Sequence, residues 1–179
     1  TSIRAADRLQ RVVNALLDLS SSELGGLIPD REDIDLTSVT ADVVGGYLRT
    51  TEGRVDLHID MPTEPLRAYV DRTMWTTIVT NLVNNAVKHT PAGTSIEVTV
   101  AGNTVSRQAS VTVRDHGSGL SDEALAHVFD RFWQADAARV GAGSGLGLSI
   151  VAGIASEHGG QATRHVEVAA CVCERRRVE

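Results

Sequence analysis

Two hydrophobic periods alternate along the chain. Apolar residues recurring every three or four positions read as helices, and those alternating by two read as strands. Residues 2–24 carry Leu9, Val12, Leu16 and Leu19 at helical spacing, and Gly25, Gly26 and Pro29 close the run. This stripe is only about two heptads long, too short to be stable alone. It either packs on a partner helix or folds back on its own domain. The stretch IPDREDIDLTSV reads as a connector. Thr37–Thr50 follows as a helix capped by Thr37 or Ser38, with Val39, Val43, Val44, Tyr47 and Leu48 on one face. Arg54–Asp60 alternates through Val55, Leu57 and Ile59 as a strand, and Leu66–Val70 is a short second strand after Pro62 and Pro65. Asp71 caps a strongly amphipathic helix to about His89, with Trp75, Ile78, Val79, Leu82, Val83, Ala86 and Val87 inward. Thr90, Pro91, Ala92 and Gly93 end it.

Ser95–Val100 and Ala109–Asp115 both alternate and form an antiparallel hairpin, with Asn103 as a turn residue. The sequence DHGSGL is a glycine loop, and Ser121–His127 is a short helix capped by its serine. Val128–Gly147 reads mostly as loop, Ser144–His158 as a last helix ended by Gly159 and Gly160. Val166, Val168, Ala170 and Val172 suggest one final strand. The order of elements predicts an α+β fold, a two-layer α/β sandwich with a mixed sheet packed against three helices.

Composition narrows the field. At 179 residues and 42% hydrophobic, the chain fits one compact domain with a short appendage. Aromatic residues make up 3% and the net charge is -6, which argues against a nucleic-acid surface. No apolar run approaches the roughly 18 residues of a membrane span, so no membrane contact is expected of this segment. Cys171 and Cys173, one residue apart, suit neither a disulfide framework nor a structural zinc site. They fit a reduced, cytoplasmic chain. The basic residues are 16 arginines and the single lysine Lys88. That lysine either survived a GC-rich codon bias by chance or does something that arginine's planar fork cannot.

Three polar constellations invite chemistry. Gly117 and Gly119 form one glycine cluster; Gly141, Gly143, Gly145 and Gly147 form another that opens a helix. Bare backbone amides at a helix start hold phosphate oxygens well. The spacing matches neither a P-loop nor a dinucleotide fingerprint, and a flexible surface loop is the competing reading. Asn81, Asn85 and Lys88 share one face of a helix, although asparagine is a poor helix former. A site for a hard cation beside phosphate is one reason; a solvated helix edge is the other. Asp115 ends a strand just before Gly117. It either accepts from an exocyclic amine or simply forms a turn.

Taken together and in order, these segments resemble the ATP-binding domain of bacterial sensor histidine kinases, a superfamily that includes DNA gyrase, mismatch-repair ATPases and a heat-shock chaperone. NLVNNAVKHT is similar to the family's N box, DHGSGL to its first glycine box, FDRFWQ to its F box and GAGSGLGLSIV to its second glycine box. The resemblance covers about Leu9 to Gly160. It implies ATP and Mg²⁺ as cofactors. Asn85 would be the metal ligand, and Asn81 would support the metal's water shell and the phosphates. Lys88 would reach the phosphates, His89 would lie along the base, and Asp115 would bind the adenine amine. Gly117, Gly119 and Leu120 would let the backbone approach the base. Phe129 to Gly143 would be a mobile lid anchored by Phe129 and Phe132. Gly143, Ser144, Gly145, Leu146, Gly147 and Leu148 would close over the phosphates. Arg131 and Arg139 would be further phosphate contacts; Gln134 stands where the F box often has arginine.

The same resemblance makes residues 1–28 the partial second helix of a dimerisation and phosphoacceptor hairpin, and residues 29–179 the kinase catalytic domain. The implied activity is transfer of the γ-phosphoryl group of Mg-ATP to a histidine of a phosphoacceptor domain, with a response regulator downstream. The alternative is a non-catalytic nucleotide-binding or dimerisation module. An amide at Asn81 cannot take a proton, which suits phosphoryl transfer over hydrolysis. None of the six histidines sits in an acceptor context. Either this is a piece of a longer kinase, or it acts in trans on a separate chain. Residues 2–24 are a possible homodimer contact.

Overall fold

The computed structural model describes residues 28–51, 53–103, 108–134, 145–164 and 168–173. The expected helix over residues 2–24 lies outside them. Where a connector was expected, Glu32–Asp35 forms strand β1. Only Ile34 and Leu36 alternate in this acidic stretch, too little local signal for a strand. Its partner is β3 (Arg67–Val70), antiparallel, with Ile34 opposite Ala68. Arg67 reaches Asp33 and Arg72 reaches Glu32 across this small two-stranded sheet. Both pairs are exposed and contribute little.

Helix α1 (Leu36–Thr50) starts one residue earlier than expected, and its cap is Asp35, not Thr37 or Ser38. The Asp35 carboxylate accepts from the Thr37 amide at 3.1 Å and from the Thr37 hydroxyl at 2.6 Å. Thr37 therefore serves the cap as a donor. Val39 and Val44 are buried, while Leu48 at the far end is exposed. Strand β2 (Asp56–Asp60) follows, then β3, then α2 (Arg72–His89), capped by Asp71 as the sequence predicts. The Asp71 carboxylate accepts from the Met74 amide at 3.0 Å. α2 carries the chain across the sheet, so β2 pairs in parallel with β4 (Ser95–Asn103). β4 and β5 (Gln108–Asp115) form the predicted hairpin.

After the short helix α3 (Asp122–His127), helix α4 spans Gly147–Glu157, beginning three residues later than expected. Two closing strands follow where one was expected: β6 (Gln161–Arg164) and β7 (Val168–Cys173), antiparallel to each other. Gln-Ala-Thr-Arg has a single apolar residue, so β6 is defined by its partner and not by its own pattern. The main sheet runs β2-β4-β5-β7-β6 and is mixed, as predicted.

One face of this sheet is apolar: Ile96, Val98 and Val100 from β4 and Ala109, Val111 and Val113 from β5 are buried. Onto it pack Ile78, Val79, Leu82 and Val83 of α2 and Ile150, Val151 and Ile154 of α4. Between α1 and α2, Trp75 is buried and its indole N–H finds the buried Thr40 hydroxyl at 3.1 Å. No helix among the described residues is long and apolar enough to cross a membrane.

The C-terminal end of α4 is bolted to the start of α2. His158 is 3% exposed. Its Nδ1 lies 3.0 Å from the Ile154 carbonyl and must donate there, so Nε2 is the acceptor for the Asp71 backbone N–H at 3.2 Å. The entering chain joins the same junction. Asp30 N–H donates to the Asp71 carboxylate at 2.9 Å, and the Arg31 guanidinium donates to the Glu157 carbonyl at 2.8 Å. His158→Ala removes a packed ring and strands a backbone donor. Urea denaturation should show a loss of about 2–3 kcal/mol; a loss below about 0.5 kcal/mol would mean the ring is not structural.

Candidate functional site

α2 and α4 run antiparallel, with residue 71 beside 158 at one end and residue 81 beside 147 at the other. The second contact begins the site. Asn81 is 9% exposed on the middle of α2. Its Nδ2 donates back to the Thr77 carbonyl at 2.9 Å, which leaves the amide oxygen turned toward α4. A Cβ at Gly147 would stand 3.0 Å from that oxygen. A side chain at 147 would make Asn81 give by a few tenths of an ångström, so glycine suits this close helix approach.

Gly147 opens α4. The residue before it, Leu146, is buried and offers no side-chain cap. Ser149 does not substitute, because its hydroxyl donates to the Leu146 carbonyl at 2.9 Å. Among the described residues, the first-turn amides of Gly147, Leu148 and Ser149 thus have no capping side chain beside the Asn81 amide. A helix start of this kind carries partial positive charge and favours an anion.

The other end of the site lies at the C-terminus of α2. Asn85 is half-buried one turn beyond Asn81, Lys88 is exposed in the last turn, and His89 closes the helix. Asp115 has the same strand parity as the buried Val111 and Val113, so it faces the helix layer where β5 leaves the core. Its Oδ1 accepts from the Gly117 N–H at 2.9 Å. A Cβ on Gly117 would sit 2.7 Å from that oxygen and 3.4 Å from the His89 carbonyl. The strand end, the helix end and the glycine loop therefore meet at one point. There, burial pushes the His89 imidazole below its ordinary value of 6.5, the Lys88 ammonium pushes the same way, and the Asp115 carboxylate opposes both. Beyond it, Gly119 is left-handed at φ 71° and Leu120 is exposed.

The F-box segment is tied to the second glycine cluster through backbone. The Phe132 N–H donates to the Gly145 carbonyl at 2.9 Å. Phe132 has φ 62°, a left-handed conformation that an aromatic residue rarely adopts. Its ring is 69% exposed, and its contact with Gly145 is made by its main chain. Phe129 is half-buried. Gly145 is also left-handed at φ 68°, and a Cβ there would fall 2.6 Å from the Phe132 carbonyl carbon. Trp133 stacks on His127 at 6.4 Å, and His127 Nδ1 lies 2.6 Å from Asp130.

The structure thus gathers the expected residues into two groups on one helix. Asn81, Leu146, Gly147 and Leu148 form the first, and His89, Asp115 and Gly117 the second, with Asn85 and Lys88 between. Asn81 and His89 are about 12 Å apart along the helix axis. Arg139, Gly143 and Ser144 lie outside the described residues. No group of three or more His, Cys, Asp or Glu side chains suited to a metal occurs among the described residues. The hard oxygen donors on this face are the amides of Asn81 and Asn85. Sequence reasoning passed over Thr77, which orients Asn81, and Thr90, which is 2% exposed with its hydroxyl unpartnered among the described residues.

The profile of the family described as histidine kinase-, DNA gyrase B-, and HSP90-like ATPase matches residues 70–175, the stretch that carries this site. The chain belongs to that family. Over 158 residues it is 31% identical to the sensor-like histidine kinase SenX3 of Mycobacterium tuberculosis, covering 87% of this chain and 38% of SenX3. The chain therefore spans less than half the length of that relative. Among solved structures, the catalytic domain of the histidine kinase ThkA superposes with a TM-score of 0.67 at 24% identity, covering 79% of this chain and 93% of ThkA's. Full-length ShkA, in complex with AMPPNP, gives a TM-score of 0.74 at 23% identity over 94% of this chain and 36% of its own. At these identities the structures speak for the fold alone.

Two glycines make opposite predictions. Gly145→Ala forces a Cβ into backbone and should cost about 1–3 kcal/mol in unfolding free energy. Gly153→Ala, mid-helix with nothing within 4 Å of its Cβ, should stabilise by up to about 1 kcal/mol. Chemical denaturation of both variants checks the pair, and equal signs would contradict the packing described.

Proposed function

We propose that this chain binds Mg-ATP and donates the γ-phosphoryl group to a histidine of a dimerisation and phosphoacceptor domain, in a two-component signalling system. The observation that carries the reading is the pairing of the Asn81 amide with the uncapped start of α4 at Gly147. A second polar group, Asp115, stands at the far end of the same helix face, which suits one extended ligand with a base at one end and phosphates at the other. The family membership and the AMPPNP-bound state of ShkA agree with it.

On this reading Asp115 accepts from the adenine amine with the carboxylate oxygen that Gly117 does not hold. Gly117, Gly119 and Leu120 keep the base close to backbone, and His89, disfavoured from protonating, lies along its ring. Asn85 would hold Mg²⁺ through its amide oxygen, with Asn81 supporting the water shell; hard, neutral oxygens at a half-buried and a buried position fit this ion. When bound, Mg²⁺ neutralises charge on the phosphate oxygens. Lys88 and the backbone of Gly143 through Leu148 contact the phosphates, with Arg139 as a further cation.

The transfer itself needs little from this domain beyond position and charge. The lone pair of an acceptor imidazole nitrogen forms the N–P bond as the bond from γ-phosphorus to the bridging oxygen breaks, and ADP leaves. Asn81 offers no base to activate water, which favours transfer over hydrolysis. Residues 1–28 serve as the partial second helix of the hairpin and as a possible homodimer contact, with residues 29–179 as the catalytic domain. The phosphoacceptor domain, in the same kinase or on another chain, and a response regulator are the partners. The segment works in the cytoplasm.

Labelled ATP, Mg²⁺ and a cognate hairpin protein provide the test. Label should appear on the hairpin histidine, and Asn85→Ala should reduce it by at least about 100-fold while leaving the far-UV spectrum unchanged. ATP binding with no label on any hairpin would favour the non-catalytic alternative. Lys88→Arg keeps the charge but exchanges a point donor for a fork. It should slow transfer by about tenfold, and an unchanged rate would remove Lys88 from the site.

A further inference from the structure

The last turn of α2 lacks one of its own donors. In a continuing helix the Val87 carbonyl would accept from the N–H four residues on, but that residue is Pro91, which has none. Proline also turns the residue before it out of the helix, and Thr90 is extended at φ -85° and ψ 128°. The Val87 carbonyl is satisfied from elsewhere. The guanidinium of Arg54, in the loop before β2, donates to it. A cation at this end of a helix also meets the negative pole of its dipole.

Arg54 holds the chain beyond the helix as well. Its own N–H donates to the Thr51 carbonyl at 2.8 Å, at the end of α1, and its carbonyl accepts from the Gly93 N–H at 2.8 Å. Gly93 is left-handed at φ 80°, within a turn where the Thr94 N–H donates to the Pro91 carbonyl at 3.3 Å. One residue thus ties down the last turn of α2 by its side chain and the 91–94 turn by its main chain. Both parts border the strand-end carboxylate. A Cβ on Gly117 would meet the Asp115 carboxylate at 2.7 Å, the His89 carbonyl at 3.4 Å and the Pro91 ring at 3.8 Å. The main-chain tie asks for no particular side chain at position 54. The tie to Val87 does.

We infer that Arg54, which lies outside all four boxes, is a positioning residue for the nucleotide. It acts through the wall that His89 and Pro91 form beside Asp115 and Gly117, and not by touching the ligand. That wall stands at the base end, away from the bond that breaks. Its loss therefore weakens ground state and transition state alike, which raises KM and leaves kcat. This rests on the nucleotide reading given above and adds to it a residue from another part of the fold.

The test titrates the full chain with Mg-ATP and with Mg-ADP by calorimetry, beside steady-state transfer to a cognate hairpin protein. The parent is compared with Arg54→Met, which keeps the apolar stem and removes the donors, and with Arg54→Lys, which returns one charged donor. Arg54→Met should bind both nucleotides about tenfold more weakly at unchanged stoichiometry, and raise KM for ATP by a similar factor with kcat within about twofold. Arg54→Lys should return to within about threefold of the parent. An arginine that only stabilised the fold would instead lower the fraction of competent chains, seen as a fall in stoichiometry at the parent's affinity. That result, a lost far-UV spectrum in Arg54→Met, a fall in kcat at unchanged KM, or an Arg54→Lys as weak as Arg54→Met would each overturn the inference. If the parent bound neither nucleotide, the nucleotide reading would fall and this one with it. Nucleotide binding that ignores residue 54 would remove this one alone.

Discussion

The contact between α2 and α4 fixes everything else in the site. The two helices are pinned at both ends by different chemistry: a buried histidine on a backbone amide at residues 71 and 158, and a glycine against an asparagine at residues 81 and 147. Hydrogen bonding sets the position along the axes at the first pin, and steric closeness sets the separation at the second. Between them, Ile150, Val151 and Ile154 and the apolar side of α2 supply the non-directional burial. Burial alone would tolerate a helix sliding by part of a turn. The two pins do not, because a slide would strand the Asp71 amide and drive the α4 backbone into Asn81.

That arrangement has a cost concentrated in one place. Among the described residues α4 has no side-chain cap, where a serine or aspartate would stabilise by about 1 kcal/mol. The chain before it makes the closest approaches of all, with Gly145 pressed to the backbone of Phe132 and both residues left-handed. Elsewhere the same chain caps its helices in the ordinary way, with Asp35, Asp71 and Ser121 each accepting an amide. The exceptions therefore fall together beside the polar face of α2, as strain and unmade caps do where a ligand is to be held.

How much of this was legible depended on the range of the interaction. The α2 helix was readable to within a residue, because a cap at Asp71 and an apolar stripe from Trp75 to Val87 are local. The β4–β5 hairpin was readable for the same reason. β1 and β6 were not: Glu-Asp-Ile-Asp and Gln-Ala-Thr-Arg carry almost no alternation, and each is a strand only because β3 or β7 lies beside it. The start of α4 lies three residues after the expected one, and nothing local shows that Gly147 must meet Asn81. The candidate site residues could be named from the four boxes. Features beside them could not: Thr77 behind Asn81, the left-handed Phe132, and the buried Thr90, which as sequence is merely the first residue of a turn.

One property of Lys88 reaches past its charge. It is the chain's single side-chain amine and lies exposed in the last turn of α2, between the two groups of the site. Within these 179 residues, amine-directed reagents have no other side-chain target. A fluorophore, spin label or cross-linker of that chemistry would attach at one defined point without any engineered residue. The same scarcity that composition shows as an oddity makes the molecule its own singly addressable reporter.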